Sequence, residues 1–180
     1  MLLPQQRYAS SSRSGKSRAA LPELAMNFQS PDLHAYFSGR WTFFRTMLGA
    51  DDVLIGEADG TAEFLRVSDT SLLHYKESGQ LRLTADQRVV AFSRRFDYEI
   101  AGDLVHVAFA DGMQAGQAYQ SYRYDAVKQA LLPVEAHLCI LDRYDGSYQL
   151  IDTDQFELRT RIDGPHKDYL VHTHFTRAPG

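Results

Sequence analysis

The chain has one cysteine, Cys139, among its 180 residues. A single thiol excludes an internal disulfide framework and any cysteine-based zinc finger, and it fits a reducing compartment. Nowhere do the roughly 18 apolar residues of a membrane-spanning helix occur together, and no shorter run has the form of a secretory core. A glycine-rich phosphate loop, a Ser-His-Asp order and a zinc-binding helix motif are missing too. Acid is absent from the start of the chain. Up to Pro22 it carries Arg7, Arg13, Lys16 and Arg18 with no Asp or Glu. Removing those four leaves 15 basic against 23 acidic residues, a formal -8 where the whole chain has -4. An acidic body lacks the basic footprint of a nucleic-acid binder, so neither a nucleic-acid partner nor a membrane span is expected.

What is present fits one domain with a tail. The apolar share of 44% and charged share of 23% are ordinary for a soluble globule. Ten Tyr and ten Phe lift the aromatics to 12%, which favours strands. Residues 1–26 form a basic, Ser-rich tail. Its composition is open to three readings: a disordered segment, a transit-like peptide, or sequence upstream of a true start at Met26. Residues 27–180 form the folded domain. A cytoplasmic location is expected, or a mitochondrial one if the source is a eukaryote.

Ser30 is expected to cap one short amphipathic helix, with Pro31 its first residue and Gly39 its stop. Alternating segments divided by turn signals follow: Arg40–Leu48, Gly60–Val67, Leu72–Glu77 turning at Ser78-Gly79 into Gln80–Leu83, Arg88–Ile100 and Leu104–Ala110. Gln117–Tyr124, Val134–Leu141, Ser147–Ile151, Phe156–Ile162 and Tyr169–Arg177 complete the set. About ten short strands without intervening helices predict an all-β antiparallel fold. Closure into a barrel of eight to ten strands removes the edges and leaves room for one small ligand. A two-sheet sandwich has the same periodicity.

Gly39-Arg40-Trp41 at the start of the first strand and Arg177 at the end of the last resemble the calycin arrangement of lipocalins and fatty-acid-binding proteins. There a cation from the last strand packs on the indole, so Trp41 and Arg177 are the expected latch. A wider set of motifs is similar to a lipocalin-like family, domain of unknown function 6314. It comprises Gly39-Arg40-Trp41…Arg45, Gly60-Thr61-Ala62-Glu63-Phe64, Tyr75-Lys76-Glu77-Ser78-Gly79, Arg94-Arg95-Phe96, Phe109-Ala110-Asp111-Gly112, His137-Leu138-Cys139…Asp142-Arg143-Tyr144 and Gly164-Pro165-His166-Lys167-Asp168-Tyr169. The resemblance implies a calycin-type barrel and no activity. Two places depart from the family pattern: Met113-Gln114 stands after Asp111-Gly112 instead of an Arg and then a Phe-His pair, and His166 stands where Arg is expected.

Candidate chemistry is sparse. His172 and His174 share one strand face and, with His137, could ligate a metal, but alternate polar residues on a strand also simply face solvent, and no metal is assigned. His137 and Cys139 share a face with Leu141; His137 reads either as a satisfied core imidazole or as a ligand contact, and Cys139 as a small apolar filler. Arg94 and Arg95 point to opposite faces, and Arg45 is a further cation on a strand. A buried Arg must pair with a carboxylate, for which Glu63 and Glu77 are available, or with an anionic ligand. Asp51-Asp52 and the Gly164–Tyr169 stretch read as turns.

The expected function is the binding of a small, partly apolar or anionic ligand inside the barrel, with Arg45, Arg94, Tyr98, His137, Lys167 and Tyr169 as candidate contacts. No cofactor is indicated. Two alternatives stand beside it: an enzyme using the same cavity with His137 as acid/base, and an interaction module whose barrel is filled by its own side chains.

Overall fold

The computed structural model describes residues 31–139 and 141–179; the three readings of residues 1–26 and the Ser30 cap lie outside the described residues. One short helix, α1 (Leu33–Phe37), is followed by eleven strands: β1 (Gly39–Leu48), β2 (Leu54–Arg66), β3 (Leu72–Leu83), β4 (Val89–Ala101), β5 (Leu104–Phe109), β6 (Ala118–Asp125), β7 (Ala130–Pro133), β8 (His137–Cys139), β9 (Asp142–Leu150), β10 (Gln155–Gly164) and β11 (Lys167–Arg177). Every strand pairs antiparallel with its neighbours. The order runs β10-β11-β1-β2-β3-β4-β5-β6-β7-β9, and β9 pairs back onto β10, which closes a ten-strand barrel. β8 lies outside this ring, paired to the first residues of β9. The fold is all-β and antiparallel, as the strand and turn pattern predicts, and of the two architectures left open it is the calycin-like barrel that the family resemblance implies.

Local chemistry departs from expectation in instructive places. Helix α1 is capped by Asp32, whose carboxylate accepts from the Ala35 N–H at 2.9 Å, so Pro31 precedes the cap instead of opening the helix. Ser78-Gly79 is not a turn, because β3 runs unbroken through it. Gly79 sits opposite Gly60 of β2, and the Phe43 ring lies over the pair. A Cβ on Gly60 would meet the Ser78 carbonyl at 2.2 Å and Phe43 Cζ at 2.8 Å, so these glycines serve close approach within the sheet. β2 starts six residues earlier than Gly60, at Leu54. Its inward residues there, Gly56 and Ala58, are too small to show a hydrophobic alternation. Val134–Leu141 contains only the three-residue β8, and the four-residue β7 precedes it.

The barrel's two ends differ. α1 plugs one of them: Leu33 and Phe37 are buried against Trp41, Phe64 and Phe156. Phe156 stacks on Phe175 with centroids 4.4 Å apart. The Trp41 indole donates to the Phe37 carbonyl at 2.9 Å, and the Arg177 guanidinium lies 4.2 Å above the ring. Arg177 also donates to the carbonyls of Tyr36, Ser38 and Thr153, tying the last strand to α1 and to the β9–β10 turn. This end is a solid aromatic floor. The other end, where β1 runs out and β10 turns into β11, is the mouth.

Candidate functional site

Above the floor, inward side chains leave a cavity of about 300 Å³ that reaches the mouth. Its space follows from the sequence of β2: the inward position Ala58 puts only a methyl group on that wall. The opposite walls are aromatic, with Phe92, Phe96 and Tyr98 from β4, Tyr119 and Tyr122 from β6, and Tyr144 and Tyr148 from β9. Thr160 and Thr173 add hydroxyls on β10 and β11.

One ion pair is built into the wall. Arg45 donates from both terminal nitrogens to Glu77, at 3.2 and 2.8 Å, and from Nε to the Thr173 hydroxyl at 2.8 Å. The Tyr75 hydroxyl completes the set, donating to Glu77 at 2.7 Å. Burial alone would raise the Glu77 carboxyl, but the charge of Arg45 and the hydrogen bonds from Arg45 and Tyr75 outweigh it and hold the group below its ordinary range. Burial opposes the Arg45 charge too, and Glu77 reverses that, so both groups stay ionised. The Arg45 guanidinium lies 5.0 Å from the Phe43 ring and 5.7 Å from Phe92. Arg45 and Glu77 therefore form a structural pair that also lines the cavity.

Five of the lining phenols, Tyr75, Tyr98, Tyr119, Tyr122 and Tyr148, are held neutral. Tyr98 and Tyr148 share a hydrogen bond of 2.8 Å, and the Tyr122 hydroxyl donates to Gln120 at 2.9 Å. Burial pushes the phenols of Tyr75, Tyr98, Tyr122 and Tyr148 well above their ordinary value, and that of Tyr119 to about 12. Among the described residues no histidine lines the cavity.

Of the sequence-derived candidates, the structure brings Arg45, Arg94 and Tyr98 together on the cavity wall. His137 does not join them. It pairs with Tyr144 in the β8–β9 ladder, and its ring packs on Tyr119 at 5.0 Å and on Phe109 at 6.0 Å. Its buried Nε2 has no hydrogen-bond partner among the described residues. Burial lowers its basicity against an opposing backbone hydrogen bond at Tyr119. Lys167 and Tyr169 share a face with Val171 and Thr173 by strand alternation, but lie nearer the mouth and outside the lining. Lys167 bonds Asp142 and approaches the Tyr144 hydroxyl at 3.5 Å. Leu141 is exposed, so the face expected to join it to His137 is not a common interior one.

His172 and His174 lie on the outer side of β11, at 3.0 and 3.7 Å from the two Glu157 oxygens and away from His137. Among the described residues no group of three or more His, Cys, Asp or Glu could hold a metal ion. Glu63 stands opposite Lys76 across β2–β3 and not beside an arginine of the cavity.

The residues that sequence reasoning passed over are Phe92, Phe96, Tyr119, Tyr144 and Tyr148. Phe92, Phe96, Tyr119 and Tyr148 fall in expected strands and carry an alternation signal, which does not say which level of a barrel is filled, whereas Tyr144 falls between the expected strands and enters only because β9 starts at Asp142.

The barrel is similar to that of the S-type phycobiliprotein lyase from Guillardia theta, at 10% sequence identity and a TM-score of 0.58, over 82% of this chain and 92% of that one. A de novo designed fluorescence-activating β-barrel aligns over 82% of this chain and 99% of its own, with 19% identity and a TM-score of 0.44. At such identities the first likeness bears on the fold alone, and the second carries no argument. No curated protein is significantly similar in sequence. The latch residues Trp41 and Arg177, the Arg45–Glu77 pair and the arginine at position 94 all fall within residues 37–177, the stretch matched by the sequence model of DUF6314, a family of unknown function, and the chain belongs to that family.

Proposed function

We propose that this protein binds a small ligand with an apolar body inside the barrel. The observation that carries the reading is the cavity itself: about 300 Å³, aromatic-walled, open at the mouth and lined by a few fixed polar groups. That volume lies at the lower bound of ordinary ligand sites, and an apolar lining with convergent polar groups is their usual make-up. A barrel filled by its own side chains would extend the aromatic floor to the mouth, and here the floor gives way to the cavity. Acid–base catalysis would need a group titrating near neutrality beside the substrate. The cavity offers arginines, an ionised carboxylate and high-pKa phenols, while His137 sits behind Tyr119. Binding is therefore the reading favoured over catalysis.

Native mass spectrometry of the protein purified from its own host tests this. The expected result is a mass excess on the folded protein that is lost on denaturation. Apo protein that also takes up nothing from a panel of lipids, haem and aromatic acids would overturn the proposal.

A further inference from the structure

Resting on that binding reading, we propose that the ligand is a small aromatic monocarboxylate, held ring-inward with its carboxylate on Arg94 and the Tyr119 hydroxyl.

Three charged side chains line the cavity: Arg45, Glu77 and Arg94. Strand register places Glu77 directly opposite Arg94 across β3–β4. The carboxylate nevertheless turns to Arg45, using both oxygens, and takes its third hydrogen bond from Tyr75. Arg45 is likewise committed, with Glu77 and Thr173 occupying its donors. Arg94 is left over. Among the described residues no carboxylate lies within salt-bridge distance of its guanidinium and no hydrogen bond engages it. The cavity thus carries one uncompensated positive charge.

Its position defines how a ligand would lie. Phe96 is the first β4 residue paired with β5, opposite Phe109, so Arg94, one inward step further on, stands at the lip where the β5 wall has ended. Phe92 and Phe96 flank it on the same face of β4. Tyr119, whose ring is 5.3 Å from Phe96, faces the same space close enough to feel the Arg94 charge. Its hydroxyl makes no hydrogen bond among the described residues, and with the phenol pushed up to about 12 it stays a donor at any physiological pH.

A ligand covering Arg94 removes its water, and a desolvated guanidinium needs an anion. One guanidinium and one phenol balance a single negative charge spread over two oxygens, which is a carboxylate. A phosphate dianion would bring a surplus charge toward Glu77. Below the lip aromatic rings from β3, β4, β6 and β9 stand across from aliphatic side chains of β10 and β11, and the ring faces and edges favour a planar ring over a flexible chain. The volume of about 300 Å³ limits the body to one or two fused rings.

Isothermal titration of the full chain with phenylacetate, indole-3-acetate and 2-naphthoate, each beside its primary amide, tests the assignment. At least one acid is expected to bind about tenfold or more tightly than its amide, the size of one charge-assisted contact. Arg94→Gln should erase that preference and leave the amide's affinity in place. Tyr119→Phe should weaken the acid alone. Arg94 is exposed, so the variant folds, and a melting curve matching the parent checks it. Equal affinity for acid and amide, or a preference that survives Arg94→Gln, overturns the proposal and leaves small-ligand binding standing. If none of the six binds while native protein carries another mass, the carboxylate assignment alone falls. If none binds and there is no mass excess, both readings fall.

Discussion

Glu77 holds the most consequential carboxylate in the molecule. Its side chain is 3% exposed and that of Arg45 12%, so removing one charge strands the other away from water. Breaking such a buried pair costs on the order of 3–5 kcal/mol, much of it the penalty of the orphaned ion. Glu77→Gln is expected to lose about 3 kcal/mol in urea unfolding at neutral pH. The pH dependence has a definite sign. The carboxyl titrates lower in the folded chain than its ordinary 4.5, so its contribution is complete above that value. It is withdrawn as pH falls through the lower folded value. Below about pH 4.5 the parent should therefore lose stability faster than Glu77→Gln, and the two curves should converge. Parallel curves across that range would refute the role given to this pair. Both arginines of the site were visible as strand cations, but not which was already committed. Arg45 and Glu77 come from strands separated by β2, and they meet because that strand presents Ala58, Gly60 and Ala62 between them. No spacing rule along one chain segment contains that information.

At the scale of elements, small residues again decide the outcome. The Ser78-Gly79 pair has the composition of a turn, and turn propensity is what a local reading weighs. Tertiary packing wins because Gly60 and Gly79 face each other beneath the Phe43 ring. Gly60→Ala should cost at least the 1–3 kcal/mol typical of overpacking, because its new methyl meets the Ser78 carbonyl, a backbone atom that cannot rotate aside. The comparison is Gly102→Ala in the β4–β5 turn, where a Cβ meets nothing within 4 Å and the cost is only that of a positive φ of 65°. Thermal unfolding followed by circular dichroism ranks the two; a smaller loss at Gly60 than at Gly102 would contradict the packing account. Most strands were legible because their inward residues are large: Leu73, Tyr75, Tyr98, Ile100, Val105 and Val107 mark β3 to β5 by alternation alone. The first half of β2 was illegible for the converse reason. The same absence of bulk hides it from a periodicity reading and opens the cavity beside it.

The whole molecule is a barrel divided by level. α1, Trp41, Phe64, Phe156 and Phe175 fill one end, while the other end holds the cavity, so the aromatic excess of the composition both packs a floor and lines a site. Strand β10 crosses the boundary. Phe156, fully buried, belongs to the floor, and Leu158, two residues on and facing the same way, lines the cavity. This adjacency separates stability from binding. Phe156→Ala should cost about 3–5 kcal/mol as a core truncation, since the rings of Phe37, Trp41 and Phe175 surround it and cannot close over the gap. Its affinity for 2-naphthoate should stay within about twofold, because Phe156 meets the rings of the cavity wall only through Tyr148 and packs on none of Arg94, Phe96 and Tyr119. Leu158→Trp should do the reverse. An indole added to open space creates no overpacking, so stability should stay within about 1 kcal/mol of the parent, while the occupied volume excludes the probe. Urea unfolding and titration on the same two variants give a two-by-two result. If Phe156→Ala weakens binding as much as it weakens the fold, or if Leu158→Trp binds undiminished, the floor and the cavity are not the separate units that the side-chain layers describe.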